Sequence, residues 1–155
     1  MSQPVYLLYT NIISHLWRIE NASAINISLV NRMASVSPEQ IVISMITMTE
    51  QMQGMINLVR SFEKINREDE AYAVYFALHH FLQRFTLIAY DADAHRRFLT
   101  FPANVRRQGR ADCQIAALAI ERGYTVVTEN VKHFAQIPGV TFEDWTRPGT
   151  NGNAP

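Results

Sequence analysis

The sequence has one cysteine, Cys113, with no second to pair with it, which excludes an internal disulfide framework and a cysteine-rich zinc module. No apolar run approaches the roughly 18 residues of a membrane span, so neither a transmembrane helix nor a membrane partner is expected. There is no excess of charge either. Its 14 basic side chains face 14 acidic ones, which argues against a chain basic all over, as bulk DNA binders are. A Gly-rich phosphate loop is missing after the first apolar run, and with it the mark of the nucleotide-binding α/β folds. The opening residues, MSQPVYLLY, show no basic stretch before an apolar core, so a cytoplasmic protein is expected.

What is present is a chain of 155 residues, 48% hydrophobic, long enough for one domain with its own core and too apolar for disorder. A single domain is expected over residues 1–146. The polar, Gly/Pro-rich stretch 147–155 reads as a flexible tail.

Val5-Tyr6-Leu7-Leu8 is a short continuous apolar run, as in a strand buried on both faces. Helix-compatible sequence follows from Ile12 to Arg18, and a second helix is read from Ser23 to Ala34. The β-branched segment Ile41 to Ile46 reads as strand two. Thr47 and Glu50 then have the T-x-x-E spacing of a capping box, opening a helix that carries Met48, Met52, Met55, Ile56 and Val59. Ala71 to Phe85 is a further helix, Thr86 to Tyr90 strand three, and Asp91 opens a helix through Phe98. Asp112 opens the next, with Gly123 as its stop. Tyr124 to Val127 is strand four, Asn130 to Phe134 a helical turn, and Val140 to Phe142 an edge strand. Strands alternating with helices need crossover connections. The expected fold is therefore α/β, a three-layer α/β/α sandwich around a mostly parallel sheet of four to five strands.

In such sheets ligands bind beyond the carboxyl ends of the strands. That selects Tyr9, Thr10 and Asn11 after strand one, Thr47 and Glu50 after strand two, Asp91 and Asp93 after strand three, and Thr128, Glu129 and Asn130 after strand four. Glu50 and Asp112, on different elements, can face one cleft. Crowded carboxylates repel unless a cation or protons intervene, and Mg²⁺ or Mn²⁺ prefers such hard oxygen ligands. Metal-assisted phosphodiester hydrolysis is one chemistry open to them. Each residue also has a plainer reading. Glu50 completes a capping box, Asp91 and Asp112 are helix N-caps, and Thr128 and Asn130 are turn and cap residues. Spacing alone does not choose.

Four blocks in order carry more. Tyr6-Leu7-Leu8-Tyr9-Thr10-Asn11-Ile12-Ile13-Ser14 is similar to L-L-D-T-N-I-I-S, and Ile43 to Gly54 to S-x-I-T-x-x-E-x-x-x-G. Arg107 to Ala117 is similar to R-x-G-x-x-D-x-x-I-A-A, and Val126 to Trp145 to V-T-x-N…F…P-G-V…E-D-W. Through these blocks, which span Tyr6 to Trp145, the chain resembles the PIN-domain ribonucleases and, among them, the VapC toxins of bacterial type II toxin–antitoxin pairs. The resemblance implies a PIN-like fold and an endoribonuclease using Mg²⁺ or Mn²⁺. It also implies an RNA substrate, a VapB-like antitoxin partner and a homodimer. Position by position, it makes Glu50 and Asp112 metal ligands, with Thr10, Asn11 and Thr128 in support. The fourth acidic position falls around Asn130 and His133, neither of which is acidic.

The first acidic position is the serious departure, since Tyr9 stands where the family places a metal-binding aspartate. A phenol of pKa about 10 is neutral at pH 7, and its bulk would fill part of the cleft. Around it the motif is intact. An inactivating substitution in an otherwise complete toxin is the expectation, and a naturally non-catalytic protein that binds antitoxin or RNA is the alternative.

Between Ala94 and Ala111 stand five arginines and no acid. Of these, Arg106, Arg107 and Arg110 lead directly into Asp112, where a phosphate backbone would want bidentate donors. A solvated helix face is the plainer account. The apolar excess on the helices carrying Met52, Ile56, Tyr72 and Phe76 suits core packing, with a remainder for a dimer face or an antitoxin groove. His15 and Cys113 read as packing residues.

Overall fold

The computed structural model describes residues 2–149. Along the chain run β1 (Tyr6–Leu8), α1 (Thr10–Glu20), α2 (Ile27–Ala34) and β2 (Ile41–Ser44), then α3 (Met45–Glu63), α4 (Glu68–Leu82) and β3 (Thr86–Ile88). The second half brings α5 (Ala92–Thr100), α6 (Ala103–Gln108), α7 (Arg110–Arg122), β4 (Thr125–Val127), α8 (Val131–Phe134) and β5 (Phe142–Glu143). The five strands form one sheet in the order β3-β2-β1-β4-β5, every pair parallel. Helices cover both faces, so the three-layer α/β/α expectation holds. Residues 150–155 of the expected tail lie outside the described residues.

The strand residues sort by the two-residue period of the pleat. Leu7, Val42 and Val126 point to one face, where Ala94, Phe98, Ile115, Leu118 and Phe134 meet them. Tyr6, Leu8, Ile41, Ile43 and Val127 point to the other, against Ile12, Ile13, Leu29, Leu78, Phe81 and Trp145. Burial of a side chain the size of Phe98 or Trp145 contributes about 1.5–3 kcal/mol, so these two half-cores hold the sandwich closed.

Local signals set most helix ends. Asn26 Oδ1 accepts the Leu29 N–H at 2.9 Å and caps α2, which therefore starts later than Ser23. Asp91 caps α5 through the Ala94 N–H at 3.0 Å, as read. Gly123, at φ 67°, takes the left-handed turn that ends α7. Three expectations are corrected. Strand two stops at Ser44, whose hydroxyl accepts the Thr47 N–H at 3.2 Å; Ser44 is the cap of α3 and no Thr47–Glu50 capping box forms. Asp112 is the third residue of α7 behind Gly109, so it is no N-cap. Helix α6, unannounced by any periodic pattern, fills the arginine-rich stretch.

Candidate active site

The carboxyl ends of β1, β2 and β4 bring Tyr9, Glu50 and Asp112 into one cleft. Tyr9 follows β1 directly and is buried, its ring packed edge-on against Phe134 with centroids 5.8 Å apart. The Asp112 carboxylate stands nearby. Burial first, then that carboxylate, hold the phenol far above its ordinary pKa, so it keeps its proton. Glu50 lies on the second turn of α3. Burial first, and the Asp112 charge second, raise its carboxyl above the usual range, while the Thr10 hydroxyl nearby pulls it back.

Asp112, 8% exposed, is the hub. Its Oδ2 accepts from Asn130 Nδ2 at 2.8 Å and from His133 Nδ1. Thr128, fully buried, joins this to strand one, since its hydroxyl accepts from Asn11 Nδ2 at 3.3 Å and from the Asn130 N–H at 3.0 Å. Thr128 thus serves both as turn residue and as support, whereas the Asn130 side chain caps nothing and turns to Asp112. Glu129 points away, to His15 Nε2 at 2.8 Å on the cleft rim. Asp91 and Asp93 stay out of the cleft; they pair with Arg122 and Arg96. Cys113 is buried, its thiol directed at the Val105 carbonyl.

Sequence reasoning missed what Gly109 does. A Cβ there would collide with the His133 ring and stand 3.0 Å from its Nδ1 and 3.2 Å from Asp112 Oδ2. The glycine leaves the space in which His133 reaches Asp112. Its place in the R-x-G-x-x-D block was the available signal.

Several acceptors on the Glu50 side have no partner among the described residues: Glu50 Oε1, Thr10 Oγ1, Asn11 Oδ1 and Thr47 Oγ1, all buried. A divalent cation would want such oxygens, but it also needs anionic ligands in number. Among the described residues, no group of three or more His, Cys, Asp or Glu side chains is arranged to hold a metal. With a phenol at position 9 and Asp112 already engaged, the residues present do not fit the ion.

The arginine stretch divides. Arg97 pairs with Glu121 at 2.6 Å and Arg96 with Asp93, so these two are opposed after all. Arg106, Arg107 and Arg110 have no ion pair among the described residues. They line a cavity of about 400 Å³ with Ala103. Arg110 and Arg106 lie over the Phe98 ring at 4.8 and 5.7 Å, and Arg106 Nε donates to the Phe101 carbonyl at 3.0 Å, so both are held in place. Arg110 also borders a second cavity of about 270 Å³ lined by Ile46, Thr49, Glu50, Ala111 and Gln114. The basic cavity therefore adjoins the acidic cleft. A hollow of about 450 Å³ between α2 and the segment after β5 includes none of these residues.

A parallel five-stranded sheet with Glu50 and Asp112 near its carboxyl edge places the cleft where open α/β sheets bind their ligands. The PIN domain family model matches residues 6–140, and the chain belongs to that family. It is 31% identical over 96 residues to the tRNA(fMet)-specific endonuclease VapC of Shigella flexneri, covering 59% of this chain and 70% of that one. The crystal structure of DNA-bound VapBC from Salmonella typhimurium superposes with a TM-score of 0.63 at 27% identity, over 92% of this chain and 99% of that one. VapBC2 from Rickettsia felis, bound to a DNA fragment from its promoter, gives 0.62 at 25% identity over 91% and 98%.

Proposed function

We propose that the chain is a VapC-like toxin, a cytoplasmic endoribonuclease by descent whose catalytic centre is silenced by Tyr9. The observation that carries this is the Tyr9 ring, buried where the family pattern has aspartate and packed on Phe134. With an aspartate at position 9, Glu50 and Asp112 would complete an acidic set for Mg²⁺ or Mn²⁺, and the ion would activate water against an RNA phosphodiester. Arg106, Arg107 and Arg110, free of counter-ions beside that cleft, are suited to the phosphate backbone. The relatives' VapBC complexes support a VapB-like antitoxin as partner. The apolar surface left open on α3 and α4 by Met52, Ile56, Tyr72 and Phe76 suits a homodimer or that antitoxin, and Phe76 is 68% exposed.

The test is a nuclease assay with Mn²⁺ on Tyr9→Asp, on the unaltered chain, and on Tyr9→Asp combined with Glu50→Gln. Cleavage of RNA and growth arrest are expected from Tyr9→Asp alone. A Tyr9→Asp protein that is folded, cuts no RNA and harms no cell defeats the reading.

A further inference from the structure

Asp112 is a nearly buried carboxylate with a second carboxylate, Glu50, close enough to repel it. No lysine or arginine pairs with it among the described residues. Such a group destabilises a fold unless a cation or hydrogen-bond donors compensate its charge. Here two donors reach it from far along the chain, His133 and Asn130 of the α8 region, and the Tyr9 ring at the end of β1 packs beside them on Phe134.

We infer that Asn130 and His133 stand in for the cation, with the Tyr9 ring packed beside them, and close Asp112 into a hydrogen-bonded knot that keeps Mg²⁺ and Mn²⁺ out of this cleft. The inference rests on the proposed VapC-like reading and gives the physical form of its silence. Two features mark the knot as built. Gly109 leaves room for the His133 ring that any side chain would take away. Phe134, next to His133, packs against the Tyr9 ring, so one short helix fixes both the histidine and the phenol. The unpartnered oxygens of the cleft lie with Glu50, Thr10, Asn11 and Thr47, whereas Asp112 is met by two donors; the far ring nitrogen of His133, Nε2, has no partner among the described residues. Tyr9 is a positioning residue in this arrangement. An aspartate in its place would take away the ring and leave both donors still holding the carboxylate.

The experiment measures Mn²⁺ binding by the paramagnetic resonance of free Mn²⁺, and thermal midpoints in EDTA and in millimolar Mn²⁺. It compares the full chain with Tyr9→Phe, Tyr9→Asp, and Tyr9→Asp combined with His133→Ala. The unaltered chain is expected to bind no Mn²⁺ and to melt at the same temperature in both buffers. Tyr9→Phe, which keeps the ring, should still bind none. Tyr9→Asp should bind weakly. The double variant should bind about tenfold more tightly or better, and its midpoint should rise with Mn²⁺. Mn²⁺ binding by the unaltered chain that Glu50→Gln abolishes would overturn the inference, and this measurement stands even if a variant fails to fold. Equal affinities of Tyr9→Asp and the double variant would overturn it as well. RNA cleavage by Tyr9→Asp with no gain in Mn²⁺ affinity from His133→Ala would sink the knot and leave the endoribonuclease standing. Tight Mn²⁺ binding by the double variant without cleavage would do the reverse.

Discussion

Two carboxylates of this molecule sit among aromatic rings, and they are neutralised in different ways. Glu143, on the edge strand β5, accepts from Arg32 Nη2 at 3.0 Å and from Trp145 Nε1 at 2.6 Å. The Arg32 guanidinium lies over the Trp145 and Tyr6 rings at 4.9 and 5.6 Å, so a full positive charge is stacked into place beside the acid. Asp112 has no guanidinium. It receives a histidine and an amide, and faces a second carboxylate instead of a cation. A carboxylate closed by arginine is fixed architecture. One closed by weaker donors, beside another acid and open acceptors, keeps the imprint of a binding site.

Three substitutions can break or sharpen that contrast. The largest effect is expected at Arg32→Ala, which strands Glu143 and unstacks Trp145. A buried pair losing one partner costs more, but both side chains here are partly exposed, so about 2 kcal/mol of stability should be lost in urea unfolding. A loss below about 0.5 kcal/mol would mean that the guanidinium is no more fixed than a surface charge. Gly109→Ala comes next. It forces His133 off Asp112 and should cost about 1–2 kcal/mol, in the range of overpacking. In a His133→Ala background the same change should cost almost nothing. A cost that persists there would place the strain elsewhere than in the knot.

The smallest effect is expected at Glu50→Gln, and its sign follows from the raised carboxyl. The folded state holds the Glu50 proton more tightly than the unfolded chain does. Stability from this residue is therefore greatest in acid and is lost as pH rises through the folded value. Glu50→Gln should then be slightly more stable than the parent at neutral pH, with the gain vanishing below about pH 4, where the unfolded carboxyl is protonated too. Melting curves across pH measure this directly, and a variant less stable at every pH would contradict it.

Much of the fold was legible because strand runs and caps are local signals. Leu7, Ile43 and Val126 stand in short apolar segments, and Asp91 and Gly123 act as their residue types suggest. The errors came where two residues offered the same service. Ser44 and Thr47 can both cap a helix, and only the register of β2 against β1 and β3 decides that the strand ends at Ser44. Helix α6 escaped because six residues with one large apolar side chain, Val105, show no apolar period. In the cleft, Tyr9, Glu50 and Asp112 were identified from motif order, and the structure brings them together. Partners separated by long stretches of chain were not visible. Arg97 meets Glu121 only because α5 packs on α7, and His133 meets Asp112 only because Gly109 makes space.

The sheet order has a consequence for how the molecule comes into being. Strand β1, the earliest of the five along the chain, is central and pairs with β2 on one side and, through Tyr6 to Thr125 and Leu8 to Val127, with β4 on the other. Contacts as distant as those to β4 form late and slowly, and a growing chain must hold β1 with one edge unpaired until β4 has been synthesised. Thr10, Asn11 and Asp112 cannot share a cleft before then. The cleft is therefore a late product of translation, assembled only when most of the chain has been made.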